Sequence, residues 1–336
     1  MSWATLGTLA LPFHLQRTGV QARTDLARSS HELTTGRVQS AARHLRGDLG
    51  ALHAIENRLT RITGFETALK QTVTAFDAAQ SALDRVAQNG QGLAEKLVMA
   101  TQSGTGPSVR AVAATAARNV LEETISALST TVAGRALFSG VLSDRGPLPG
   151  VDAFLAELAP QVAGLTTAAD VITALEDYFT DPNAGFSTDI YRGGPARPGG
   201  VIDDGDPAAA LPTADEPALR SLMMHAAMVV LIDNGAATLS SGEERLVHSR
   251  AMTGLLENAT DMAALQARVG VAQEAFEQRQ TRLSVERDRL EMARSDKIGV
   301  DPYKAAMAVE QSRVQLESIY TVTARIARLS LTEYLR

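Results

Sequence analysis

The hydrophobic positions of this chain recur in alternating steps of three and four over two long stretches, and lose that order between them. Leu69, Val73, Phe76, Gln80, Leu83, Ala87, Gly90, Ala94 and Leu97 keep the spacing, which puts them on one helical face as a coiled-coil seam does. The breaker SGTGPS follows at 103–108. A second stripe then runs through Val109, Val112, Ala116, Val120 and Leu128 and predicts a helix folding back on the first as an αα-hairpin. Met262, Leu265, Val269, Ala272, Phe276, Leu283 and Leu290 resume the register, with Arg279 and Glu286 on the same seam. Those two charges suit the edge of a core, stems on apolar surface and heads in water.

Weaker seams lie at the two chain ends. Leu15, Ala22, Leu26, Ser29 and Leu33 form one; Val309, Leu316, Ile319 and Ile326 form the other, with Ser312, Thr323 and Ser330 as its polar positions. The last helix is expected to start after a break at 297–300, where Asp301 offers an N-cap acceptor and Pro302 suits the first turn. A fully buried Leu or Ile contributes roughly 1.5–3 kcal/mol, whereas ordering backbone costs roughly 1–2 kcal/mol per residue. Seams this poor in large residues come out near zero as a lone pair, so the ends are expected to need neighbouring subunits.

Proline divides the same chain. Nine of the twelve prolines fall between Pro147 and Pro217, so the flanks can be long helices and the middle cannot. Within it, Val151 to Tyr178 reads as two short helices and Phe186 to Arg192 alternates as one strand. The expected fold is mainly α: long coiled-coil-like helices built from both chain ends, with a small α+β domain inserted in the middle. The expected parts are 1–45 with 297–336 as a terminal helical assembly domain, 46–145 with 218–296 as a helical rod, and 146–217 as the outer insertion.

Composition narrows the function. Aromatic residues make up only 4% of the 336, so small aliphatic side chains must do most of the packing, as in thin helical bundles. The absence of Cys excludes disulfides and thiolate chemistry. No stretch reaches the roughly 18–20 apolar residues of a membrane span, and the first residues lack the basic start and small-residue cleavage site of a secretory signal. Export, if it occurs, is expected to use another route. Residues 1–60 carry seven Arg against four acids, and 142–220 carry thirteen acids against four Arg. The Arg residues are spread singly along a helical pattern, which favours a solvated face over a nucleic-acid arm. The six histidines show no metal-ligand spacing. Gly134–Gly140 lacks the ending of a phosphate loop, and Asp203–Asp206 lacks the ligand spacing of an EF-hand. No catalytic residue, metal or cofactor is expected.

Three short motifs then stand in order. ELTTGRV at 32–38, containing Leu33 and Gly36 and followed by Ser40-Ala41, resembles the LSSGxRI–SA stretch of bacterial flagellins and their junction proteins. GRALFSG, with Gly134, Arg135, Leu137, Phe138 and Gly140, resembles the GRYLFAG segment of hook-associated protein 3, the hook–filament junction family. The ending, with Leu329, Ser330, Leu331, Tyr334 and Leu335, resembles SLLDYL of the same family, while the final Arg336 is flagellin-like. Ala42 to Asp48 departs from the acidic turn that usually follows the first motif.

The resemblance implies an extracellular structural subunit of the bacterial flagellum that joins hook to filament. It implies self-assembly through Leu15, Leu26, Leu33 and Gly36 of the first helix and Leu316, Ile319 and Ile326 of the last. The implied partners are further copies of the chain, an adjacent hook-associated protein, filament flagellin, a cytoplasmic export chaperone on the C-terminal helix, and the flagellar export apparatus. Nucleic acid and membrane insertion are not among them. A filament flagellin and a cytoplasmic coiled-coil scaffold are the alternatives.

Overall fold

The computed structural model describes residues 4–102, 107–181, 185–197 and 209–334, of which the side chains of 4–12, 107 and 327–334 are left undescribed. In chain order the elements are α1 (Ala4–Thr35), α2 (Ala41–His44), α3 (Gly50–Ala100), α4 (Pro107–Leu128), β1 (Thr131–Val132), β2 (Arg135–Ala136), α5 (Val151–Val162), α6 (Ala168–Thr180), a π-helical turn (Phe186–Ile190), α7 (Pro217–Asp233), α8 (Ser241–Ile298) and α9 (Pro302–Tyr334). The chain forms two compact units: residues 1–63 with 282–336, termed terminal, and residues 64–281, termed central. The protein is mainly helical, and its only sheet among the described residues is the two-stranded hairpin of β1 and β2.

The central unit is organised around α7, which the seam analysis did not single out. Every residue from Leu222 to Ile232 is buried. A helix that is apolar all round has no solvent face to give it an amphipathic period, and it belongs inside. Helix α4 packs along it. A Cβ on Gly90 of α3 would come within 2.8 Å of Leu222, so the small residue on the α3 seam admits a large one from α7. Phe76 of α3 meets Phe276 of α8 edge to face at 4.9 Å. At the flank of this contact, Gln273 and Gln266 of α8 donate to Asp77 and Asp84 of α3 at 2.6 and 2.7 Å.

Two expectations are corrected here. Of the expected α4 stripe, Ala116, Val120 and Leu128 are buried, but Val109 and Val112 at its start are exposed, and Ala113, Ala117, Leu121 and Thr124 are turned inward as well. This helix is apolar on more than one face, and the small residues allow the closer approach to α7. The strand expected at 186–192 is the π-helical turn. Phe186 and Ile190, four apart, are both fully buried, a helical spacing. Gly185 takes φ +56 and its carbonyl accepts from Asp189 N–H at 2.8 Å, while Tyr191 N–H donates to Phe186 at 2.8 Å.

The insertion has its own small core. Phe154 of α5, Phe179 of α6 and Phe186 lie 5.2–6.4 Å apart by ring centroids. Three of the eight Phe residues are therefore spent on this one cluster, where a short segment most needs buried area. Thr167 caps α6 by accepting from Asp170 N–H at 3.2 Å. Glu243 of α8 accepts from Ala168 N–H at 2.6 Å, which ties the first turn of α6 to α8.

Candidate assembly interface

In the terminal unit α1 packs along α9. Ala22 and Ser29 of α1 are buried, as are Ala305, Ser312 and Leu316 of α9. Only Leu316 among them is large. A Cβ on Gly19 would lie 3.7 Å from Ile319, so the pair approaches closely where its residues are small. Arg23 closes the contact: its Nε donates to Tyr320 Oη at 2.9 Å, and its guanidinium stands over the same ring at 5.5 Å from the centroid. That cation–π contact is worth roughly 0.5–1 kcal/mol at an exposed site.

The ELTTGRV motif ends α1 and fastens it to the segment before α9. Gly36 takes φ +67 and donates to Glu32 O at 2.9 Å, a C-terminal cap that a Cβ would strain. Arg37 then pairs antiparallel with Gly299. Val38 N–H donates to Ile298 O and Val300 N–H to Gly36 O, both at 2.9 Å. Asp301 caps α9 through Tyr303 N–H at 2.9 Å. At the departure from the family pattern, Ser40 caps the short α2, and Arg46 and Gly47 both turn through positive φ before α3 begins. Further along, Arg58 of α3 grips Glu286 of α8 with two bonds, Nε at 2.6 Å and Nη2 at 3.0 Å.

What lies outside this pair is as informative as what lies inside. Phe13 and Val20, seven apart on α1, are exposed; so are Tyr303, Met307 and Val314 on α9. Phe13 and Tyr303 reach 68% and 74% exposure, values that leave most of each ring in water. Phe13 with Val20 and Met307 with Val314 thus stand at heptad spacing as apolar residues that the α1–α9 contact does not cover.

The sequence-assigned residues distribute over this picture as follows. Leu15 and Leu26 are half-buried on the inner face of α1, and Leu33 is largely exposed. Leu316 is buried, with Ile319 and Ile326 half-buried. Leu329, Ser330, Leu331 and Tyr334 lie on α9 but outside the described side chains, and Leu335 lies outside the described residues altogether. Sequence reasoning missed Arg23, Tyr320 and the outer stripe. The signal for the stripe was a second heptad series offset from the first, present in Phe13–Val20 and Met307–Val314.

GRALFSG is the knot that ties the central helices to the insertion. Ala133 and Gly134 both have positive φ, the tight two-residue turn of β1 and β2. Arg135 is exposed, while Leu137, Phe138, Ser139 and Gly140 are buried. Phe138 O accepts from Ala214 N–H at 2.8 Å and Ser139 O from Gly194 N–H at 3.0 Å. Ser139 Oγ donates to Arg145 O at 2.7 Å. At Gly140, φ +59, a Cβ would fall 2.3 Å from the carbonyl oxygens of Gly194 and Pro195. Beside it Tyr191 Oη donates to Gly194 O at 2.7 Å, and burial pushes that phenol up to about 12.

Family comparison agrees with this layout. The bacterial flagellin N-terminal helical region matches residues 7–143, and the bacterial flagellin C-terminal helical region matches 252–335. Together they take in about two thirds of the chain. The chain belongs to the bacterial flagellin family. It is therefore a structural subunit of the flagellum and not an enzyme. The two matches leave out 144–251, which holds the insertion and α7. Among solved structures the chain is similar to FlgL of Bacillus cereus, at 14% identity and TM-score 0.43, over 73% of this chain and 99% of that one. It is also similar to a protein of Vibrio parahaemolyticus assigned as a flagellar hook-associated protein, at 12% identity and TM-score 0.40, over 70% and 95%. No curated protein sequence matches the chain. No helix among the described residues is long and apolar enough to cross a membrane.

Proposed function

We propose that this flagellin-family subunit is a hook–filament junction protein that assembles through α1 and α9. The observation that carries assembly is the inverted α1–α9 pair, with Ala22, Ser29, Ala305 and Ser312 inside and Phe13, Val20, Met307 and Val314 outside. Burying such small residues yields little, so the pair is marginal alone and gains most when the outer stripes meet those of neighbouring copies. The choice of junction over filament rests on the likeness of GRALFSG and of the C-terminal Leu329–Leu335 stretch to the junction family. In this reading 1–45 with 297–336 is the assembly part, 46–145 with 218–296 the helical shaft and 146–217 the outer insertion.

The partners are then a hook-associated protein on one side, filament flagellin on the other, an export chaperone on the C-terminal helix, and the export apparatus that carries the chain out of the cell. The test has two arms. Hydrogen–deuterium exchange on the purified monomer is expected to find 13–45 and 297–326 far less protected than 65–100. Mixing with filament flagellin is expected to give short caps that seed filaments; long filaments of this chain alone would assign it as a filament flagellin instead. Terminal helices as protected as α3 in a proven monomer would remove coupled ordering from the account.

A further inference from the structure

The histidines of the two units sit in opposite environments. His14, His31, His44 and His53 of the terminal unit are all exposed, whereas His225 and His248 of the central unit are 3% and 2% exposed. Assembly through α1 and α9 makes no use of the latter two.

His225, on α7, presses its Nε2 edge against α8, so that a Cβ on Gly254 would fall 1.9 Å from that nitrogen. Its Nδ1 lies 2.7 Å from Ser221 O. A carbonyl only accepts, so Nδ1 carries the proton and Nε2 is the bare nitrogen of a neutral ring. A second proton there would bring a full charge against the α8 backbone where a methyl group does not fit. The charged groups facing this ring are Arg250 and Glu257 of α8 and Glu176 of α6. Both carboxylates favour a charged ring, but each is also engaged by Arg250, Glu176 at 2.7 Å and Glu257 at 3.4 Å, and Arg250 opposes that charge.

His248, on α8, faces Arg110 of α4 and Asp233 of α7. Arg110 is a second cation beside it and is itself held by Glu244 at 3.3 Å. Neither ring nitrogen of His248 has a polar partner among the described residues. Burial pushes both imidazoles below the usual histidine range. The Ser221 carbonyl, Glu176 and Glu257 work in the opposite direction at His225, as Asp233 does at His248, while Arg250 and Arg110 add to the lowering.

We propose that His225 and His248 are an acid-sensitive latch of the central unit: the packing of α7 and α8 closes only around neutral imidazoles, and mild acid opens it. The direction follows from proton uptake. The unfolded chain takes up these protons near pH 6.5, before the folded one does, so stability is complete above that pH and is lost as pH falls through it. The α1–α9 pair buries no histidine among its described side chains.

The test is hydrogen–deuterium exchange on the full chain at pH 7.5 and 5.5, corrected for intrinsic exchange and read in peptides of 217–233 and 245–260 against 302–326. The opening constant of α7 is expected to rise about 10-fold per imidazole, so up to about 100-fold in all. The double variant His225→Gln/His248→Leu is expected to remove that rise. An equal rise in the double variant, or none in the parent, overturns the proposal. If the double variant does not fold, His248→Leu alone gives up no hydrogen bond among the described residues and is expected to leave only about a 10-fold rise. Imidazole NMR of the folded parent is an independent check: a ring signal of His225 or His248 titrating near pH 6.5 in the closed state overturns it as well.

Discussion

In the central unit α7 hides eleven consecutive residues, Leu222 to Ile232, and admits a histidine only by removing the side chain opposite it, at Gly254. In the terminal unit α1 and α9 meet across Ala22, Ser29, Ala305 and Ser312 with Leu316 buried and Leu15, Leu26 and Ile319 half-buried, while Phe13, Val20, Met307 and Val314 face water. The first arrangement draws its stability from within the chain. The second leaves apolar area on the outside, which in the proposed function neighbouring copies cover. Seam spacing is alike in both units, and the difference teaches that burial separates them: Leu69, Phe76, Leu83 and Leu97 are buried, whereas Leu15, Leu26, Ile319 and Ile326 are only half-buried.

The comparison can be broken by substitution, most forcefully in the central unit. Phe154→Ala empties the centre of the Phe154–Phe179–Phe186 cluster and is expected to lower stability by about 3–5 kcal/mol. Urea unfolding of the full chain reads this, and a loss below about 1 kcal/mol would mean that the insertion core is not packed as described. Next comes Gly140→Ala, which sets a methyl group against the Gly194 and Pro195 carbonyls at positive φ. It is expected to cost about 2 kcal/mol or more and to raise exchange first in 136–147 and 191–195, the strands of the knot.

Smaller effects sharpen the contrast from the terminal side. Glu286→Gln removes one charge from the two-bond contact with Arg58, and because Glu286 is partly exposed the loss is expected to stay near 0.5–1 kcal/mol. It should shrink further in high salt, which a denaturation series at two ionic strengths would detect. Val20→Ser with Val314→Ser is expected to change monomer stability least, by under about 0.5 kcal/mol, since both residues face water. The same pair should abolish addition to filament flagellin. Normal assembly by this variant would remove the outer stripes from the interface.

Much of the helical plan was legible beforehand, for identifiable reasons. The α3 seam is buried at Leu69, Phe76, Leu83, Ala94 and Leu97 because long helices carry their contacts in a repeating code. The cap at Asp301 and the two short helices α5 and α6 follow from local backbone chemistry, which needs no distant partner. The α4 seam was legible at Ala116, Val120 and Leu128 but not at its start, where Val109 and Val112 are exposed and Ala113 and Ala117 are buried, because Val outranks Ala in a hydrophobicity pattern. The turn at 186–190 was read as a strand because Ser187, Thr188 and Asp189 mask the four-residue spacing of Phe186 and Ile190.

The sequence by itself thus determined the mainly helical class and the family, both of which rest on periodicity and short ordered motifs. Only the tertiary structure decided that α7 is the hub of the central unit, that GRALFSG ties residues 130, 143, 145, 194 and 214 together, and that the terminal pair leaves Phe13, Val20, Met307 and Val314 outward. The physical reason is the same in each case. Periodicity states which residues share a face, but whether that face meets protein or water depends on partners tens to hundreds of residues away.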